Sequence, residues 1–168
     1  GVTEAALRTA YWMLFDRELA DDAINFYETR GIAGVREARL NFEGNEIRVA
    51  ICNGLGSANK VLDRLRAGEK YHWIEVMGCP GGCVGGGGQP YAGADAVPLD
   101  ESILSARAAA LYGLDETRAI RRSHQNPDIQ RLYKEYLGEP MSERAHELLH
   151  TYYYARVPMG IRPQEAQL

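Results

Sequence analysis

The sequence predicts an α/β fold: a small mixed sheet flanked by helices, followed by a helical belt. Three observations carry that expectation. Residues 35–43 and 46–52, VREARLNFE and EIRVAIC, alternate apolar and polar positions on either side of Gly44-Asn45, which suggests two antiparallel strands joined by a tight turn. A helical pattern separates them from a third apolar run, Tyr71 to Met77. Strand, helix and strand in that order form a crossover unit, so part of the sheet is expected to be parallel. Past an alanine-rich helix the character changes, and the last third of the chain reads as helices alone.

The elements follow in order. Thr3 is placed to cap a first helix, in which Ala6, Leu7, Ala10, Met13 and Leu14 recur at spacings of three and four behind Glu4. An irregular stretch around Gly31 and Gly34 leads to the two strands. Asn53-Gly54-Leu55-Gly56-Ser57 then breaks the chain before a helix marked by Ala58, Val61, Leu62 and Leu65 and ended near Gly68. Gly54-Leu55-Gly56 has two glycines of a phosphate-binding turn but no third in register, so a plain strand-to-helix turn is preferred. Asp100 caps a helix from about Glu101 to Leu111. Asn126-Pro127-Asp128 opens another through Tyr136, stopped by Gly138. Ser142 opens a last one through about Tyr153, before a tail with Pro158 and Pro163. Leu132, Tyr133, Tyr136, Leu137, Leu148, Leu149, Tyr152 and Tyr153 give these two helices a large apolar surface, suited to wrapping around a body.

Composition bounds the function. The 168 residues are 45% hydrophobic and 25% charged, an ordinary globular mixture with room for a core. A net charge of -4 leaves no basic footprint for nucleic acid or an anionic membrane, and no apolar run reaches the ~18 residues of a membrane span. Three cysteines, an odd number, do not make a disulfide framework; a reducing compartment and a cytoplasmic location are expected. The helical pattern begins within two residues of Gly1, with no initiating methionine, so the sequence reads as a piece of something longer.

The chemistry concentrates in residues 75–90, EVMGCPGGCVGGGGQP. Cys79 and Cys83, separated by three residues, follow an apolar run directly and sit among glycines. Thiolates bind iron or zinc, and glycine lets a backbone approach a bulky inorganic group and direct N–H dipoles at it. A glycine-rich turn with two buried thiols is the plain alternative, but ordering Gly85 to Gly88 is costly without something to pass against. Structural zinc wants four ligands, and no second cysteine pair exists. An iron-sulfur cube takes about four thiolates, so the residues describe half a site. Cys52 ends a strand and reads as a buried small hydrophobe.

The pattern ExMxCPGGCxxGGGQP, carried by Glu75, Met77, Cys79, Pro80, Gly81, Gly82, Cys83, Gly86, Gly87, Gly88, Gln89 and Pro90, resembles the third signature motif of the iron-only (FeFe) hydrogenases. Gly78 departs from it, where alanine is usual. GVTEAALRTAY resembles the start of a helix in the second half of that catalytic domain. RAAALYGLDETRAIRRSHQNPDIQRLYKEYLGEPMSERAHELLHTYY resembles the segment called the small-subunit region, which in some members is a separate chain. The resemblance implies a lobe of the catalytic domain over 1–115 and a small-subunit-like helical tail over 116–168.

It further implies that Cys79 binds one iron of a four-iron cube. The Cys83 sulfur, the catalytic ligand, would bridge that cube to a two-iron subsite bearing carbon monoxide, cyanide and a dithiolate, the whole being the H-cluster. Met77 would lie against the subsite, and Gly86 and Gly87 would offer backbone N–H groups to it. The reaction implied is reversible splitting of dihydrogen, with the metals making and breaking the bonds. The other two cube cysteines and the proton relay belong to an N-terminal lobe that should precede Gly1, so the chain alone is expected to be inactive. Ferredoxin or NAD(P)-linked subunits are the implied electron carriers. Hydrogenase-like iron-sulfur assembly proteins keep a similar third motif without a two-iron subsite; Pro80-Gly81-Gly82 and Gln89-Pro90 favour the hydrogenase.

One further motif competes. His146-Glu147-Leu148-Leu149-His150 spells HExxH, the zinc-protease pattern of two histidines on one helix face with a glutamate base. A catalytic zinc needs a third protein ligand, and only Glu165 follows, so a zinc hydrolase is the remote reading. His72 is expected at a strand edge, and His124 at the surface or in a partner contact.

Overall fold

A computed structural model describes residues 1–28 and 34–154, which fall into two compact units, Gly1–Ser123 and His124–Leu168. Gly31, Pro158, Pro163 and Glu165 lie outside the described residues.

The first unit is built on a four-stranded sheet in the order β1 (Tyr27–Glu28), β2 (Val35–Phe42), β3 (Asn45–Asn53), β4 (Trp73–Met77). The first two pairings are antiparallel and β3–β4 is parallel. The mixed sheet is therefore as expected, with the two-residue edge strand β1 added. Phe42 pairs with Asn45, so the turn is Glu43-Gly44, one residue earlier than the sequence suggested. Both turn residues have positive φ, 51° and 92°, the backbone of a tight hairpin whose twist matches its strands.

Alternation sends the two faces of β2 to different helices. Ala38, Leu40 and Phe42 pack with Val49 under α1 (Val2–Phe15), through Leu7 and Tyr11. Tyr11 meets Phe42 edge to face at 5.0 Å. Thr3 lies inside α1 rather than capping it: the helix starts at Val2, and Thr3 is buried with its Oγ1 accepting from Trp73 Nε1 at 3.1 Å. On the other face Val35, Ala50 and Cys52 pack against Ala58 and Val61 of α2 (Leu55–Arg66).

That second face also buries an ion cluster. Glu37, 3% exposed, accepts from Arg64 Nη1 at 2.7 Å, Tyr71 Oη at 2.9 Å and Arg48 Nη2 at 3.1 Å. Burial alone would push its carboxyl up. The hydrogen bonds from Tyr71 and Arg48, with the charges of Arg48 and Arg64, outweigh burial and hold it below the ordinary glutamate range.

Helix α3 (Glu101–Glu116) runs past its expected end at Leu111, through Gly113. Its cap is as read: Asp100 accepts from Ser102 N at 2.9 Å.

In the second unit, α4 (Pro127–Leu132) continues into a π turn over Tyr133–Leu137, closed by a Gly138 N–H bond to Tyr133 O at 2.7 Å. Helix α5 (Glu143–Leu149) is shorter than expected, because His150 turns to extended backbone at ψ 143°. Ser142 caps it, accepting from Ala145 N at 3.1 Å while donating to Leu137 O.

Candidate metal centre

The cysteine loop leaves the sheet where two parallel strands end together. Asn53 pairs with Met77 in register, and Gly54 N donates to Met77 O at 2.7 Å, tying the exit of β3 to that of β4. Sites in α/β sheets form beyond such carboxyl ends, because crossovers leave a crevice there.

Each cysteine begins a tight turn. Gly82 N donates to Cys79 O at 3.0 Å, and Gly86 N to Cys83 O at 3.1 Å, the second closing a short 3-10 turn over Gly82–Gly85. Two glycines are dictated by this geometry. Gly82 has φ +76°, and a Cβ there would also crowd Asn53 Oδ1 at 3.3 Å. At Gly85 a Cβ would fall 2.0 Å from Pro80 O, so two backbone segments touch where no side chain fits.

Beyond that crossing the run opens. A Cβ on Gly86 would still meet Cys83 O at 3.3 Å and lie 3.9 Å from Cys79 Sγ, whereas one on Gly87 would meet nothing within 4 Å. Cys79 is half-buried and Cys83 exposed, both as free thiols, while Met77 is half-buried at the mouth of the loop. Two soft donors therefore border open space beside a side-chain-free backbone. That suits two corners of an iron-sulfur group, and among the described residues no third His, Cys, Asp or Glu joins them.

Cys52 stays apart from this. It is fully buried, and burial, followed by the charge of Glu37, pushes its thiol pKa up, so it remains protonated and inert near neutrality. His72 precedes β4 and pairs with Arg48: its N–H donates to Arg48 O at 2.8 Å, and its Nδ1 accepts from Arg48 N at 3.0 Å. His124, expected at the surface or in a partner contact, is buried within the chain rather than at its surface, with its carbonyl accepting from Gln130 Nε2 at 2.8 Å. The rings of His146 and His150 stack at 4.1 Å, and among the described residues no third ligand completes a metal group with them.

Sequence reasoning missed the supports supplied by α3. Leu104 packs on Gly81, where a Cβ would come within 3.1 Å of it. Arg107 Nη1 donates to Val84 O at 2.9 Å and its Nη2 to Pro90 O at 2.6 Å. The available signal was a lone basic residue in an alanine-rich helix, three positions after a leucine and so on the same face.

The comparisons with known proteins agree with the motif. A family described as the iron only hydrogenase large subunit, C-terminal domain, matches residues 1–87, and one described as the iron hydrogenase small subunit matches 101–156. The NADP-reducing hydrogenase subunit HndD of Solidesulfovibrio fructosivorans is 46% identical over 156 residues, 93% of this chain and 26% of that protein. Iron hydrogenase 1 of Clostridium pasteurianum is 42% identical over 155 residues, 91% of this chain and 26% of that one. A solved structure of the FeFe-hydrogenase HydA1 from Chlamydomonas reinhardtii matches with TM-score 0.74 at 41% identity, over 91% of this chain and 44% of that one. Protein NAR1 of Arabidopsis thaliana is 32% identical over 158 residues, 92% of this chain and 32% of that protein. The chain thus spans about a quarter of the length of its two more similar curated relatives.

Proposed function

The chain belongs to the iron-only hydrogenase family, as the C-terminal part of its catalytic domain with a small-subunit-like tail, and from that premise we propose that it supplies one half of a hydrogen-splitting H-cluster site. The observation that carries the proposal is the pair of thiols, half-buried Cys79 and exposed Cys83, beside the side-chain-free backbone of Gly86 and the open space at Gly87. Cys79 would hold the four-iron cube, and Cys83 would hold it together with the two-iron subsite. When bound, the cluster supplies the redox chemistry that interconverts dihydrogen with protons and electrons.

This chain's own residues position and shield. The Gly82 and Gly86 amides hold the two cysteine carbonyls, which fixes where each thiol starts from. Met77 would lie against the cluster with a soft apolar side chain, and Gly86 and Gly87 would let the backbone approach it without bulk. Two more cysteines come from an N-terminal lobe, which pairs with residues 1–115, while 116–168 form the tail. The chain alone is inactive. Ferredoxin or NAD(P)-linked subunits carry the electrons, in the cytoplasm; among the described residues no helix is long and apolar enough to cross a membrane.

A second reading is an iron-sulfur assembly protein without the two-iron subsite, favoured by the similarity to Protein NAR1. The higher identity to hydrogenases and the Pro80-Gly81-Gly82 and Gln89-Pro90 spellings favour the first. Infrared spectroscopy of the protein joined to its N-terminal lobe separates them. Bands from bound carbon monoxide and cyanide support the hydrogenase; a loaded cube without such bands supports the assembly protein.

A further inference from the structure

We propose that Arg107 is a positioning residue of the cysteine loop, through which α3, at the start of the stretch that matches the small-subunit family, helps to build the cluster site. The problem it solves is physical. Gly85 to Gly88 is a stretch without side chains, whose backbone freedom is the costliest to remove. Gly87 and Gly88 have no neighbour within 4 Å to confine a Cβ. Yet Val84 before the run and Pro90 just beyond it are both held by the same guanidinium, at 2.9 and 2.6 Å. Among the described residues, the hydrogen bonds that reach this stretch from outside the loop all come from Arg107.

A guanidinium is a rigid planar fork with several donors, so it can fasten two carbonyls at a fixed separation; an ammonium on a flexible stem is a single point. With Val84 O and Pro90 O fixed, the intervening glycines have to arch, and the arch keeps Gly86 N on Cys83 O and the Gly86 backbone beside Cys79 Sγ. Leu104, one turn earlier on the same helix face, packs on Gly81 between the two cysteines. The helix holding both belongs to the 101–156 small-subunit match, whereas both cysteines belong to the 1–87 match. The start of the stretch that matches the small-subunit family is thus, by geometry, part of the loop's frame.

The effect on the cluster rests on the function proposed above; the hold on the loop does not, and the tests separate the two. In the 168-residue chain, Arg107→Met is expected to speed exchange of the Gly86 amide about tenfold, with Arg107→Lys falling between it and wild type. Buried Cys52 serves as the fold monitor, because it alkylates only when the sheet opens. Gly86 exchange within twofold of wild type, with Cys52 still protected, overturns the proposal. If Arg107→Met exposes Cys52, Arg107→Lys decides by the same limit. In the full hydrogenase carrying the cluster, Arg107→Met is expected to shift or broaden the carbon monoxide and cyanide infrared bands, with partial rescue by lysine. Unchanged bands overturn the role at the cluster. Wild-type protein without such bands overturns the proposed function, while the exchange result still decides whether Arg107 holds the loop.

Discussion

Placing one methyl group at each of two glycines in the same run should have opposite consequences. At Gly85 an alanine Cβ would fall 2.0 Å from Pro80 O, where ordinary contact begins at 3.4 Å. The two strands of the loop must then part by about 1.4 Å, and because the obstacle is a backbone carbonyl, no rotamer change can relieve it. Overpacking of this kind costs about 1–3 kcal/mol, and a rigid neighbour puts Gly85→Ala at the upper end. At ~3 kcal/mol the loop's closed state loses roughly a hundredfold in population. Gly87→Ala meets nothing within 4 Å and should leave the empty loop unchanged. Amide exchange at Gly82 and Gly86 reads this directly, since both donate the bonds that close the cysteine turns. In the cluster-loaded hydrogenase the pattern should alter: Gly87→Ala should also lower iron per chain, because its methyl enters the space assigned to the cluster. If Gly85→Ala exchanges within twofold of wild type, or Gly87→Ala disturbs the empty loop equally, the backbone crossing is not the constraint argued for it.

Other outcomes follow from the same geometry. Cys79→Ser and Cys83→Ser should each lower the iron and sulfide content of the full hydrogenase severalfold, and Cys83→Ser should abolish the carbon monoxide and cyanide bands; iron at wild-type level in either variant removes that ligand from the scheme. Cys52→Ala, by contrast, should leave iron content unchanged and cost only packing stability, measured by urea unfolding. Glu37→Gln leaves Arg48 and Arg64 without their shared buried carboxylate and should cost about 3 kcal/mol of unfolding free energy. The Glu37 carboxyl is held below its ordinary value of 4.5 in the fold, so its contribution is full above that pH and fades as pH falls through the lower folded value. Urea midpoints between pH 7 and 3 should therefore fall less steeply in Glu37→Gln than in wild type, and parallel slopes would contradict the assignment. His150→Ala should leave zinc affinity weak and hydrogenase activity intact in the recombined protein; a tight zinc site lost on this substitution would revive the hydrolase reading.

Local pattern was enough for much of this protein. The alternation of residues 35–52 implied the hairpin, and the strand-helix-strand order implied the parallel pair, because side-chain period and chain connectivity follow from backbone geometry alone. Asp100, Asn126 and Ser142 were readable as caps, since a cap bonds residues only two or three positions away. The cysteine motif pointed to the family for the same reason. What sequence could not reach depended on partners far along the chain. Thr3 resembles a cap until Trp73, 70 residues on, is found donating to it. Glu37, Arg48 and Arg64 read as ordinary polar positions until the fold gathers them with Tyr71, Glu37 being the shared carboxylate. Arg107 looks like surface charge until its two carbonyl contacts are seen. Nearest-neighbour rules determine which elements form; the contacts of Arg107 with Val84 and Pro90 join a helix to a loop far from it in sequence, and only three dimensions bring them together.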